Sequence, residues 1–247
     1  MQVGGFIRRY PVLTFYALTF AISWGGFFFF VGCGKIPGTA EQIEALVPLA
    51  VLALFAGPSV AGGFLIGVVH GKAGYKEFLA RFARARVGAR WYGVALLTAP
   101  VLMASVLLSL SLLSPAFLPG IFVTDNRVGL LLLGVVSGLV GGGFLEELGW
   151  TGFAVPHLRA RYDVFRTGLI VGVLWGAWHL LIIFWMSGAA SQGVPLAVFL
   201  TVRGCDLLAG QLPAFRILMV WVYDQTGSLL VVMLMHASLS ASMLILQ

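Results

Sequence analysis

The sequence predicts an all-α, polytopic integral membrane bundle of about seven transmembrane helices, and three observations carry that prediction. Of 247 residues, 60% are hydrophobic and only 10% are charged. The mean hydropathy is +1.01. Roughly 148 apolar residues are enough for about seven spans of ~20 residues each. A soluble domain carries about a quarter charged residues, so a water-soluble enzyme, a disordered chain and a nucleic-acid-binding domain all fit poorly. Cys33 and Cys205 are isolated, which points to neither a disulfide framework nor a zinc ribbon.

The spans follow in order. Arg8 and Arg9 precede a first apolar run, Tyr10 to Val31, that is too long for a signal-peptide core and reads as a retained helix. Further runs lie at about 46–69, 91–114, 128–155, 167–187, 195–222 and 228–246. Pro156 is a place for the fourth helix to end early. The sixth run contains Gly210 and Pro213 and is expected to kink. Neither of its halves reaches ~20 residues, so seven spans are preferred over eight. Without internal repeats or a soluble segment, residues 1–247 read as a single membrane domain with a motif-bearing core at about 128–246.

Charge then sets the orientation. Arg8 and Arg9, the 70–91 loop with Lys72, Lys76, Arg81, Arg84, Arg86 and Arg90, and the 157–166 loop with Arg159, Arg161 and Arg166 alternate with loops poor in cations. Positive-inside bias places the N-terminus and both basic loops in the cytoplasm, so the pI of about 9.7 records topology rather than nucleic-acid binding. In the 70–91 loop, Tyr75, Phe78, Leu79 and Phe82 recur at helical spacing among the cations. That suits a helix lying on anionic lipid, with a merely solvated basic loop as the equal alternative.

Ionisable residues at membrane depth each cost about 2.5–3.5 kcal/mol and need a reason. Arg203 and Asp206 are three apart and can pair, and Arg216 is expected to snorkel from the end of its span. Glu146, Glu147, His179 and His236 remain. Thirteen residues separate Glu146 from Arg159 and Arg166 from His179, which sets both at most about 20 Å from one boundary if the helices are continuous. Gly134, Gly138 and Gly142 lead to Glu146, while Gly168, Gly172 and Gly176 lead to His179. Such stripes let helix backbones approach closely, so Glu146 and His179 are expected to face each other across one seam. At 100° per residue Glu147 turns away from it. His236 and Ser240 share one face of the last span. Two adjacent buried carboxylates are costly unless one is protonated or paired, and the four residues together point to a site.

These residues carry a resemblance. Glu146-Glu147-Leu148-Gly149-Trp150-Thr151-Gly152-Phe153 resembles the first motif, E-E-x-x-x-R, of the CPBP or Abi family of intramembrane proteases, the type II CAAX prenyl endopeptidases and their bacteriocin-processing or immunity relatives. Trp175-Gly176-Ala177-Trp178-His179 is similar to the second motif, and His236-Ala237-Ser238-Leu239-Ser240 to the third, H-x-x-x-N or H-x-x-x-D. The likeness covers about residues 140–245. Thr151 stands where the family has arginine and Ser240 where it has asparagine or aspartate. Glu147 would then have to be protonated or find another cation, with Arg203 or Arg216 the nearest guesses.

The resemblance implies peptide hydrolysis in a bacterial plasma membrane, on a membrane-associated peptide or protein. Glu146 would be the general base, His179 would hold the water, and His236, helped by Ser240, would stabilise the oxyanion. Glu147, Thr151 and Trp175 would be supporting residues. Family names often say metalloprotease, and Glu146, His179 and His236 would be an acceptable set for a divalent metal such as zinc. The chain has no H-E-x-x-H, and the preferred reading is metal-free. The rival is a catalytically impaired relative acting as an immunity or scaffold protein. A proton-relay transporter fits less well, because no repeated halves are visible.

Overall fold

The computed structural model describes residues 3–191 and 193–247, and among these the chain is helical, with no strand. The helices are α1 (Val3–Arg9), α2 (Pro11–Val31), α3 (Ala40–Phe82), α4 (Ala89–Ser111), α5 (Gly120–Val123), α6 (Arg127–Ser137), α7 (Val155–Arg159), α8 (Val164–Ala190), α9 (Leu196–Ala209), α10 (Gln211–Thr226) and α11 (Leu229–Leu246). A short 3-10 turn occupies Pro115–Phe117. Two wide π-helical stretches, Gly138–Glu146 and Trp150–Ala154, join α6 to α7. Among the described residues, seven segments are long and apolar enough to cross a membrane. The expected fold class is borne out: this is an all-α, polytopic integral membrane protein.

Local chemistry explains where elements begin and break. α3 starts earlier than hydropathy indicates, because Thr39 and Gln42 form a capping box: each side chain accepts from the other's backbone N–H, at 3.3 and 3.2 Å. The helix kinks at Gly71, whose φ of +60° suits glycine. Ser228 and Asp163 cap α11 and α8. The sixth span is kinked as expected, at Gly210 between α9 and α10. Asp206 lies across that break, accepting from the Gln211 N–H at 3.3 Å while pairing with Arg203 at 3.5 Å.

The fourth span departs from expectation. It is not a continuous α-helix, and Pro156 does not end it: the proline sits in the first turn of α7, where its missing N–H costs nothing. The Ala154 N–H reaches the Gly149 carbonyl at 3.0 Å, an i→i+5 bond that widens the turn.

The chain divides into two compact units, residues 1–74 with 149–221, and residues 75–148 with 222–247. In the first, Gly57 meets Ser23 and the Thr19 carbonyl, so α2 and α3 run close together. Pro58 inside α3 has no N–H to offer the Leu54 carbonyl four residues back. The Ser23 hydroxyl takes its place at 2.6 Å and itself accepts from Trp178 Nε1 at 2.8 Å. Rings of Phe15, Tyr16, Trp150 and Trp178 fill the space around this relay.

The second unit repeats the device. Pro100 inside α4 leaves the Leu96 carbonyl without its helical donor, and the Ser238 hydroxyl of α11 donates to it at 2.8 Å. In apolar surroundings an unmet carbonyl is costly, and a neighbouring serine removes that cost. In both units, a proline-freed carbonyl becomes the anchor for an adjacent span.

Candidate active site

The second unit gathers most of the expected site. Gly134, Gly138 and Gly142 lie against α11: a Cβ on Gly138 would meet the Ala237 carbonyl, and one on Gly142 would meet Ser240 Oγ and stand 2.8 Å from His236 Nε2. The glycines therefore bring the Glu146 segment onto the helix that carries His236. His236 Nδ1 is 2.7 Å from Glu147 Oε1, and its Nε2 is 3.9 Å from Glu146 Oε1. Exposure is 3% for Glu146, 0% for Glu147 and 1% for His236, so the group is enclosed. Ser240 is half-buried.

One expectation is overturned here. Glu147 does not turn away from the seam that the glycine stripe makes, because the π-helical Gly138–Glu146 stretch rotates less per residue than an α-helix, and both carboxylates meet one imidazole of α11. His236 is a hydrogen-bond partner of Glu147, and Arg203 is paired with Asp206. A carboxylate on Nδ1 fixes the ring's orientation and directs Nε2 toward Glu146.

The first unit places His179, Trp175, Thr151 and Arg216. His179 Nδ1 donates to the Trp175 carbonyl at 2.9 Å, since a carbonyl only accepts. The Trp178 ring stands edge-on to that imidazole, 4.7 Å between centroids. Gly168, Gly172 and Gly176 lie against Ile217, Pro213 and Leu207. The expected single seam between the two glycine stripes is thus replaced by two seams, each inside one unit. Thr151 is buried in the second π-helical turn.

Arg216 is the residue that sequence reasoning misplaced. It does not snorkel; it is fully buried, with its guanidinium carbon 4.2 Å from the centre of the Trp175 ring. The available signal was Trp175 itself, an aromatic face with Gly172 and Gly176 beside it on α8, where a Cβ on Gly172 would stand 3.2 Å from Arg216 Cβ.

Among the described residues, no three histidine, cysteine, aspartate or glutamate side chains are grouped to hold a metal ion. With His236 Nδ1 bonded to Glu147, the second unit leaves the other imidazole nitrogen facing the Glu146 carboxylate.

The order and chemistry of these groups agree with a match to known proteins. Residues 127–242 fit the family described as type II CAAX prenyl endopeptidase Rce1-like. That stretch takes in the glutamate pair, the Trp175–His179 motif and the His236–Ser240 motif, so the resemblance read from three short motifs is borne out there. CAAX prenyl protease 2 of Methanococcus maripaludis is 33% identical over 95 residues, covering 37% of this chain and 33% of that relative. The match thus spans about a third of the relative's length.

Proposed function

We propose that the chain is an intramembrane endopeptidase that hydrolyses a peptide bond of a membrane-associated peptide or protein. The observation that carries this reading is a buried imidazole, His236, bonded to one glutamate and facing another at 3.9 Å. That separation exceeds a hydrogen bond and suits a bridging water. In the proposed reaction, Glu146 takes a proton from water and the oxygen attacks the scissile carbonyl carbon, pushing the C=O pair onto oxygen. His236 Nε2–H and Ser240 Oγ–H donate to the resulting oxyanion. The C–N bond then breaks, and the leaving nitrogen takes the proton from Glu146. The family resemblance assigns the water-holding role to His179, and Glu147 positions His236. No step is routed through a metal ion.

The relative's printed name supports a protease acting on CAAX-type substrates. Charge distribution supports a cytoplasmic N-terminus, with the 70–91 segment against anionic lipid. The test is reconstitution with candidate membrane peptides beside the Glu146→Gln form. Cleavage by the parent and at least about a hundredfold less by the variant is expected, whereas equal rates would remove the enzyme reading. Thr151, buried where the motif has arginine, favours a second reading as a catalytically impaired immunity or scaffold protein. A cellular phenotype that survives both Glu146→Gln and His236→Ala would select it.

A further inference from the structure

Beyond the Gly71 kink, α3 continues as a segment whose exposed face mixes rings, aliphatic side chains and cations. Tyr75 and Leu79 are exposed, and so are Lys76, Arg84, Arg86 and Arg90 across the following turn. Such a surface at the end of a membrane span complements anionic lipid headgroups in charge and in polarity.

The segment is also fastened to both elements that carry the candidate site of its unit. Arg81 Nη1 donates to the Tyr223 hydroxyl at 2.9 Å, near the end of α10. Ser228 Oγ donates to the Arg84 carbonyl at 2.6 Å and accepts from the Val231 N–H at 3.2 Å, so one hydroxyl joins the basic segment to the N-cap of α11. The Arg84 side chain lies over Gly227, whose φ is +60° and whose Cβ, if present, would stand 2.5 Å from Nη1. The Phe82 ring meets the Phe144 ring edge-on at 6.3 Å. Phe144 is two residues before Glu146, and Ser228 is eight residues, about 12 Å of helix, before His236.

We propose that residues 75–90 are an anionic-phospholipid surface that seats the first turn of α11, and through it His236 against the two glutamates. The protease reading enters only where a rate is the readout; the seating itself is measurable without cleavage. Lipid phosphates bound by Lys76, Arg84 and Arg86 hold the segment down. The Arg81–Tyr223 and Arg84–Ser228 contacts carry that restraint to the start of the last helix.

Hydrogen exchange on the full chain tests this, in nanodiscs of phosphatidylcholine alone or mixed with phosphatidylglycerol. Phosphatidylglycerol is expected to slow exchange in peptides 75–90 and 226–232, each on the order of tenfold, and to raise any cleavage rate in parallel. Lys76→Gln with Arg86→Gln, both exposed and remote from the candidate site, removes both effects. Tyr223→Phe leaves the protection of 75–90 and loses that of 226–232. Exchange in 75–90 that ignores phosphatidylglycerol overturns the lipid surface, and protection confined to 75–90 in the parent chain overturns the coupling. The expected exchange pattern without cleavage by the parent chain leaves this proposal standing and counts against the protease reading instead.

Discussion

His236 Nδ1 stands 2.7 Å from Glu147 Oε1, with both side chains shut off from solvent. Removing one member leaves the other buried without that partner. Glu147→Ala is therefore expected to cost about 3–5 kcal/mol of stability, read as a lowered midpoint of thermal unfolding in detergent. Glu147→Gln keeps an acceptor oxygen and should fold with a far smaller loss. Its cleavage rate should still fall roughly 10–100-fold, as when a carboxylate that orients an imidazole is removed. Equal stability of the two variants would argue against the buried pair.

Gly142 and Gly138 lie on the same seam and should separate function from stability. A methyl at 142 enters the space between Ser240 Oγ and His236 Nε2, so Gly142→Ala is expected to abolish cleavage with a modest fall in unfolding temperature. At 138 the methyl strikes the Ala237 carbonyl, which cannot rotate away. Gly138→Ala should therefore lower stability by about 1–3 kcal/mol through overpacking. Comparing rate with unfolding midpoint for both variants checks the distinction.

The Pro100–Ser238 relation predicts a coupling. Ser238→Ala should cost roughly 0.6–1.7 kcal/mol, the range for a hydrogen bond between membrane helices. In a Pro100→Ala background the backbone N–H at 100 can reach the Leu96 carbonyl, and the same serine replacement should cost close to nothing. A double-mutant cycle by equilibrium unfolding in mixed micelles measures the difference.

Arg216 over Trp175 should resist conservative exchange. Arg216→Lys keeps the charge but loses the flat guanidinium that stacks on the indole, and is expected to lose about 1–2 kcal/mol. Near-full stability of the lysine form would show that charge alone is what the site uses.

Restoring the family's arginine should not help. Thr151 is 1% exposed, so Thr151→Arg is expected to overpack its turn, lowering stability by about 1–3 kcal/mol without raising cleavage. Higher activity in that variant would instead identify the threonine as an impairing substitution.

Hydrophobic length and charge scarcity are one-dimensional properties, and the sequence by itself determined what depends on them: the seven apolar spans, the kink near Gly210 and the Arg203–Asp206 pair, while three short motifs carried the likeness of residues 127–242 to a known family. Side-chain direction was legible only where the helix was regular. It failed at Glu147, because nothing in the local pattern announces that Gly138–Glu146 winds with i→i+5 bonds, and a wider turn redirects every side chain on it. Partners failed for the same kind of reason. Glycine stripes state that a close neighbour exists without saying which, and the tertiary structure gave one stripe to α11 and the other to α9 and α10. Arg216 looked like a snorkelling cation because distance from a span's end is visible in sequence, whereas the Trp175 face that receives it exists only once α8 and α10 are packed. Ser23 and Ser238 were invisible for the converse reason: a proline's effect on the carbonyl four residues back is local, but the hydroxyl that answers it comes from another helix.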